Sequence, residues 1–436
     1  MKKYILLCIT VMTALQIFAQ TDSIANERFT IHAQTTVINQ YKPGFNAKYS
    51  GTNSLKTAKE SQTSITATLF AGARMWKGAS IYINPEIAGG SGISGALGVA
   101  AATNGETFRI GDPAPHIYLA RVFFRQILPL TQETVSQTSD CNQLAGNLPT
   151  KYLAFTIGKI GIADFFDDNK FSHDPRTQFM SWALMDSGAW DYPANTRGYT
   201  PSLVLELVTP KHEFRYGMSL VPLTANGNNM NWNISKSCSY TLEYTHRYTL
   251  NELAGAIRLL TFFTTTNMGN YRQSINQKPV NPNIEDTRKY GNTKYGFALN
   301  AEQNITSDLG CFLRASWNNG RNETWAFTEI DRSVSGGFSL AGNKWKREND
   351  NIGLAYVMSG LSKDHREYLK AGGTGFMLGD GNLNYVPEHL VEFYYSAELR
   401  KNLYLTGTYQ FLVNPGYNSD RRGPVNILSV RLHAIL

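Results

Sequence analysis

The chain closes on Leu428-Ser429-Val430-Arg431-Leu432-His433-Ala434-Ile435-Leu436, and this stretch sets how the rest is read. Leu428, Val430, Leu432, Ala434 and Leu436 alternate with Ser429, Arg431, His433 and Ile435. In an extended strand a period of two sends the first set to one face and the second to the other. The stretch therefore predicts a strand with a continuous apolar face opposite a face carrying Arg431 and His433.

The same pattern recurs upstream. Ile65, Ala67, Leu69, Ala71 and Ala73 alternate with Thr66, Thr68, Phe70, Gly72 and Arg74; Phe214, Tyr216, Met218 and Leu220 alternate with Glu213, Arg215, Gly217 and Ser219. Val391, Phe393, Tyr395, Ala397 and Leu399 do so with Glu392, Tyr394, Ser396 and Glu398. About sixteen such segments are expected, each roughly 9–13 residues long, the length a tilted strand needs to cross the hydrocarbon layer. Strands of soluble sandwiches usually run about 5–6 residues.

Connection lengths point the same way. Short turns fall at Trp76-Lys77-Gly78, Thr209-Pro210-Lys211, Leu250-Asn251-Glu252, Thr306-Ser307-Asp308 and Arg400-Lys401-Asn402. Long polar connections, 41–60, 89–115, 161–196, 222–237, 267–291 and 361–387, lie between them. This asymmetry is expected of a transmembrane barrel with turns at one rim and loops at the other. Two connections break it: 129–149 is long where a short turn is due, and that around Asn319–Glu323 is short where a loop is due.

Composition narrows the class. Charged residues are 17% and aromatics 12%, with 23 Tyr and 22 Phe. The charge fraction is well under the roughly 25% usual in soluble domains. A mean hydropathy of −0.30 excludes a bundle of transmembrane helices, whereas a barrel wets one face of every strand. Lys2 and Lys3, the apolar run Tyr4 to Phe18 and the small Ala19 predict a secretory signal over residues 1–20, leaving 21–436 as one barrel domain. Beyond it, 39 Lys and Arg against 34 Asp and Glu leave a charge of +5. No run of basic residues marks a nucleic-acid partner. Cys141, Cys238 and Cys311 are odd in number and unpatterned, so they specify neither a disulfide framework nor a metal site, although two of them are free to pair.

Charges in the alternating segments share one face: Glu86, Arg121, Arg125, Glu206, Arg215, Glu243, Arg258, Arg314, Glu392, Glu398 and Arg431 all stand out of phase with the larger apolar residues. Near mid-bilayer a charge on the lipid face costs about 2–4 kcal/mol, which a wet lumen avoids. A lumen of one sign would select ions. Mixed Arg and Glu with Tyr and Trp suit neutral polyols, because hydroxyls bridge charged groups while C–H faces stack on rings.

The run Gly158-Lys159-Ile160-Gly161-Ile162-Ala163-Asp164-Phe165-Phe166-Asp167-Asp168-Asn169 continues through Ser172-His173-Asp174-Pro175-Arg176 and Gly188-Ala189-Trp190-Asp191-Tyr192-Pro193 to Arg197-Gly198-Tyr199. It resembles the signature of the OprB-type carbohydrate-selective porins. Gly379-Asp380-Gly381, Tyr385-Val386-Pro387-Glu388, Asn414-Pro415-Gly416-Tyr417-Asn418 and Asp420-Arg421-Arg422-Gly423-Pro424 resemble that family in the same order. The resemblance implies an all-β, 16-stranded antiparallel barrel in the bacterial outer membrane, with a loop folded inward to narrow a pore for passive diffusion of carbohydrates.

It also implies arginines and a carboxylate at the constriction. Arg74, Glu86, Arg121 and Arg125 on early strands are the candidates, with Asp164, Asp174, Arg176, Trp190 and Arg197 from the loop 161–196. The implied partners are mono- or oligosaccharides, lipid bilayer and lipopolysaccharide, as a monomer or homotrimer, with no cofactor or metal. A general or weakly anion-selective porin is the alternative. Catalysis is not expected: His173 beside Asp174 and His389 beside Glu388 lack a Gly-framed serine.

Overall fold

Eighteen strands form along the residues described by the computed structural model, 26–106 and 114–436; the expected signal segment 1–20 lies outside them. In chain order they are β1 (Phe29–Lys42), β2 (Glu60–Trp76), β3 (Ala79–Gly90), β4 (His116–Pro129), β5 (Thr134–Gln137), β6 (Gly146–Pro149), β7 (Tyr152–Ile160), β8 (Thr200–Val208) and β9 (His212–Ser219). β10 (Cys238–Leu250), β11 (Leu253–Thr266), β12 (Asn292–Asn304), β13 (Leu309–Asn318), β14 (Arg332–Ala341), β15 (Asn351–Gly360), β16 (Glu388–Arg400), β17 (Leu403–Val413) and β18 (Val425–Ile435) follow. Sixteen close one antiparallel barrel, and β5 and β6 pair as a separate ribbon. Closure joins β1 to β18, from Gln34 opposite Ile435 to Tyr41 opposite Leu428. Among the described residues the barrel sheet has no unpaired edge, as a strand in lipid requires.

The burial pattern is that of a soluble protein turned inside out. On β18, Leu428, Val430 and Leu432 are exposed while Ser429, Arg431 and His433 are buried. Leu313 on β13 and Phe393 on β16 are likewise exposed beside buried Arg314 and Glu392. Period-two alternation thus assigns the two faces as the sequence predicts. Short turns gather at one rim, including 305–308 and 401–402, and long connections at the other. The connection after β13 runs over 319–331, longer than the stretch around Asn319–Glu323 suggests, and so joins the long set.

The core sits within the lumen, where an apolar cluster joins the connections 91–106 and 161–199 to the barrel wall. Ala100, Ala101, Phe179, Leu184 and Ala189 pack with Phe312, Val357, Leu390 and Tyr394 of the strands. The segment 161–199 carries a 3-10 turn (Ile162–Asp164) and one short α-helix, α1 (Trp182–Met185). Two more, α2 (Tyr271–Gln277) and α3 (Lys363–Lys370), pack together at the long-loop rim, where Tyr271 stacks on His365.

Candidate functional site

The inward charges on one side of the barrel hold the infolded chain. Backbone N–H and C=O groups inside a lumen need partners, and a charged side chain supplies several at once. On β16, Glu392 accepts the N–H groups of Met180 (2.6 Å) and Ser181 (3.0 Å), and Glu388 accepts those of Ala100 (3.0 Å) and Ala101 (2.7 Å). On β18, Arg431 donates to the carbonyls of Pro175 (2.7 Å) and Gln178 (2.8 Å). Arg314 of β13 donates to the Leu184 carbonyl (2.8 Å), and Glu243 of β10 accepts the Asp167 N–H (2.7 Å). The segment 161–199 therefore crosses the lumen and is bonded to strands of the far wall.

A cavity of about 670 Å³ opens beside the infolded segment, against β1–β4 and β7–β9. Five arginines (Arg121, Arg125, Arg176, Arg197, Arg215) and four carboxylates (Glu106, Asp164, Asp174, Glu206) line it among the described residues. The signs nearly balance, so the wall favours no single ion strongly. Tyr82, Phe123, Tyr152, Phe165, Tyr192 and Tyr199 add ring faces and phenols.

The charges are interlocked. Arg121 grips Asp164 with two hydrogen bonds of 2.6 Å each and lies over the Tyr199 ring at 4.9 Å. Bidentate pairing fixes the start of the infolded segment to β4. Arg125 pairs with Glu206, which Arg215 approaches at 3.4 Å. Arg176, from the loop, bridges Glu106 (2.8 Å) and Glu86 (3.3 Å). Burial opposes its charge, but those carboxylates outweigh burial and hold the guanidinium well above its ordinary range. At Glu106 burial wins, pushing the carboxyl up against the pull of Arg176. At Asp174 burial is outweighed by Arg176, and the carboxyl is held below its usual range. Arg197 lies over the Tyr118 ring at 3.9 Å.

Of the nine residues expected at the constriction, Arg121, Arg125, Asp164, Asp174, Arg176 and Arg197 line the cavity. Glu86 stands behind Arg176, fully buried, and accepts from Thr68, Tyr118 and Tyr199. Trp190 is also fully buried and packs with Phe166 and Tyr192 as the core of the loop. Arg74 sits at the short-turn mouth and donates to the carbonyls of Glu27 (2.9 Å) and Ala145 (3.0 Å). Glu206 and Arg215 belong to the lining too, and their strand phase marked them as inward. Glu106 and Tyr199 carry no periodic signal, because they lie in connections. His173 is 3.7 Å from Asp186, and His389 bonds Tyr356 on the outer face (2.7 Å). Cys141, Cys238 and Cys311 are free thiols. Among the described residues no three His, Cys, Asp or Glu side chains cluster as metal ligands.

The family model of the carbohydrate-selective porin, OprB family, matches residues 52–434. Among solved structures, the high-pH structure of Pseudomonas putida OprB has a TM-score of 0.71 at 16% identity, over 94% of each chain. The outer membrane channel DcaP of Acinetobacter baumannii has a TM-score of 0.51 at 11% identity, over 96% of this chain and 100% of that one. At such identities these structures speak for the fold. A sequence comparison with curated proteins finds no match.

Proposed function

The chain belongs to the OprB family of carbohydrate-selective porins, and from that premise we propose that the balanced, aromatic cavity inside the barrel is where sugars are selected. As a member of that family it is a passive channel of the bacterial outer membrane for carbohydrates and other small polar solutes. Its fold and family are those of channels rather than enzymes. With the periplasmic side at the short-turn rim, the segment 161–199 folds in from outside.

One observation carries the proposal: charges of both signs and ring faces line one cavity. Sites of about 300–1,000 Å³ enclose small organic molecules, so this volume admits a mono- or disaccharide. Arg121–Asp164 and Arg125–Glu206 present donors and acceptors already fixed by each other, so a hydroxyl can exchange with them at low reorganisation cost. Tyr192 and Tyr199 offer faces to sugar C–H groups. Each chain encloses its own lumen, so a monomer and a homotrimer would both carry one pore per chain.

Liposome swelling with sugars and amino acids matched in size tests the selectivity. Sugars are expected to enter faster. Equal rates at equal size would assign a general porin, and strong anion selectivity in a planar bilayer without sugar block would overturn the carbohydrate reading.

A further inference from the structure

The turn between β4 and β7 is the long member of an otherwise short set, and part of its length folds into the periplasmic mouth. β5 and β6 form a ribbon off the barrel, with Val135 exposed. Beyond it the chain doubles back. Asp140 and Gln143 exchange both backbone hydrogen bonds at 3.0 Å, and Asn142 holds a φ of 55°, a left-handed conformation that asparagine tolerates. Cys141 and Asn142 thus form the tip of a tight turn.

The barrel wall grips this tip. Asn84 of β3 donates to the Asn142 side-chain oxygen (2.8 Å). The Ser139 hydroxyl lies 2.9 Å from that of Thr30 and 3.0 Å from His32 Nε2, both on β1. Glu27 accepts from Ser139 (3.1 Å) and from the Ala145 N–H (2.7 Å), while Arg74 donates to the Ala145 carbonyl. Leu144 is buried in the apolar cluster that holds Tyr82 and Phe123. So many anchors fix the segment as part of the wall, and Cys141, Asn142 and Gln143 line the same cavity as Arg121, Asp164 and Arg176.

We propose that residues 138–145 form a second selectivity element, a floor at the periplasmic mouth whose amides meet the sugar after the charged zone. The proposal rests on the sugar-channel reading above. Neutral amides suit a neutral polyol because they donate and accept with no ion to desolvate. The Asn142 oxygen is held by Asn84, and its amide N–H groups have no protein partner among the described residues. Arg74 acquires a positioning role here, since it clamps the base of the turn.

Cys141 is a native probe of this floor. Burial pushes its thiol up to about 11, so labelling needs an alkaline pH of about 9 and long exposure. In planar bilayers, a sulfonatoethyl methanethiosulfonate added on the periplasmic side is expected to lower single-channel conductance by about half as the group enters the passage. Cys141→Ser should abolish that response. Asn142→Asp keeps an acceptor for Asn84 and tolerates the backbone conformation. It adds a charge that, at about 8 Å in water, favours cations and disfavours anions alike, shifting the cation-to-anion permeability ratio about fivefold toward cations. A channel that conducts and is blocked by sugar, yet responds to neither change, overturns the floor and leaves the channel reading intact. A wild-type protein with no conductance overturns the channel reading itself.

Discussion

Glu392→Ala is expected to undock the infolded loop while sparing the barrel. Glu392 is fully buried on β16 and accepts the N–H groups of Met180 and Ser181 and the Gln410 amide (2.9 Å). Alanine leaves two buried backbone donors unpaired, at about 1–3 kcal/mol each. The docked loop therefore loses about 2–6 kcal/mol, toward the lower end if water fills the vacated space. The ladders of β16 with β15 and β17 use backbone groups, so barrel closure does not share the loss. Hydrogen exchange by mass spectrometry reads this directly, with the β16 amides as an internal reference. A loss of about 2 kcal/mol should speed exchange over 176–186 about 30-fold where local opening limits it. Glu392→Gln keeps one acceptor oxygen and should fall between. Unchanged exchange over 176–186, or equal acceleration throughout the barrel, would refute the reasoning that strand carboxylates hold the loop.

Arg176→Gln keeps hydrogen bonding toward Glu86 and Glu106 but removes the charge; a unit charge about 8 Å from the ion path in water is worth about 0.5 kcal/mol. The charge acts with opposite sign on cation and anion, so the reversal potential under a salt gradient should shift by about a fivefold change in permeability ratio toward cations, and no shift would place Arg176 off the ion path. The His173–Asp186 pair makes loop docking weaken as pH rises. Burial, with Asp167 and Asp164 adding to it against His173 and Arg314, pushes Asp186 up to about 7; burial pulls His173 down, but Asp186 and Asp168 raise it overall. Both groups hold protons more tightly folded than unfolded, so their stabilisation is full at acid pH and is lost as pH climbs through neutrality. Exchange over 176–186, corrected for its intrinsic pH dependence, should be slower at pH 6 than at pH 9, and Asp186→Asn should flatten the difference; tighter docking at pH 9 would contradict this.

Strand phase alone marked Arg121, Arg125, Glu206 and Arg215 as inward, because a side chain on a strand has two directions and lipid forbids one of them to charge. What each inward charge meets was not legible. Arg431 bonds the carbonyls of Pro175 and Gln178, more than 250 residues away in the chain. That pairing exists only once β18 has closed on β1 and the loop has folded into the lumen. Arg74 shows the same limit: its phase was known, but its partner Ala145 belongs to a turn whose inward fold has no periodic signal.

The stretch Leu428–Leu436 by itself determined the strand, its lipid face and, repeated along the chain with turns and loops of unequal length, the barrel. Those are local consequences of alternation and of what a bilayer admits. Only the tertiary structure decided which inner charges hold a folded-in chain and which border a cavity, and that Cys141, Asn142 and Gln143 of the long turn join its lining. Both depend on which backbone segment comes to lie opposite a given side chain, and in a closed barrel filled by its own loops the chain as a whole settles that.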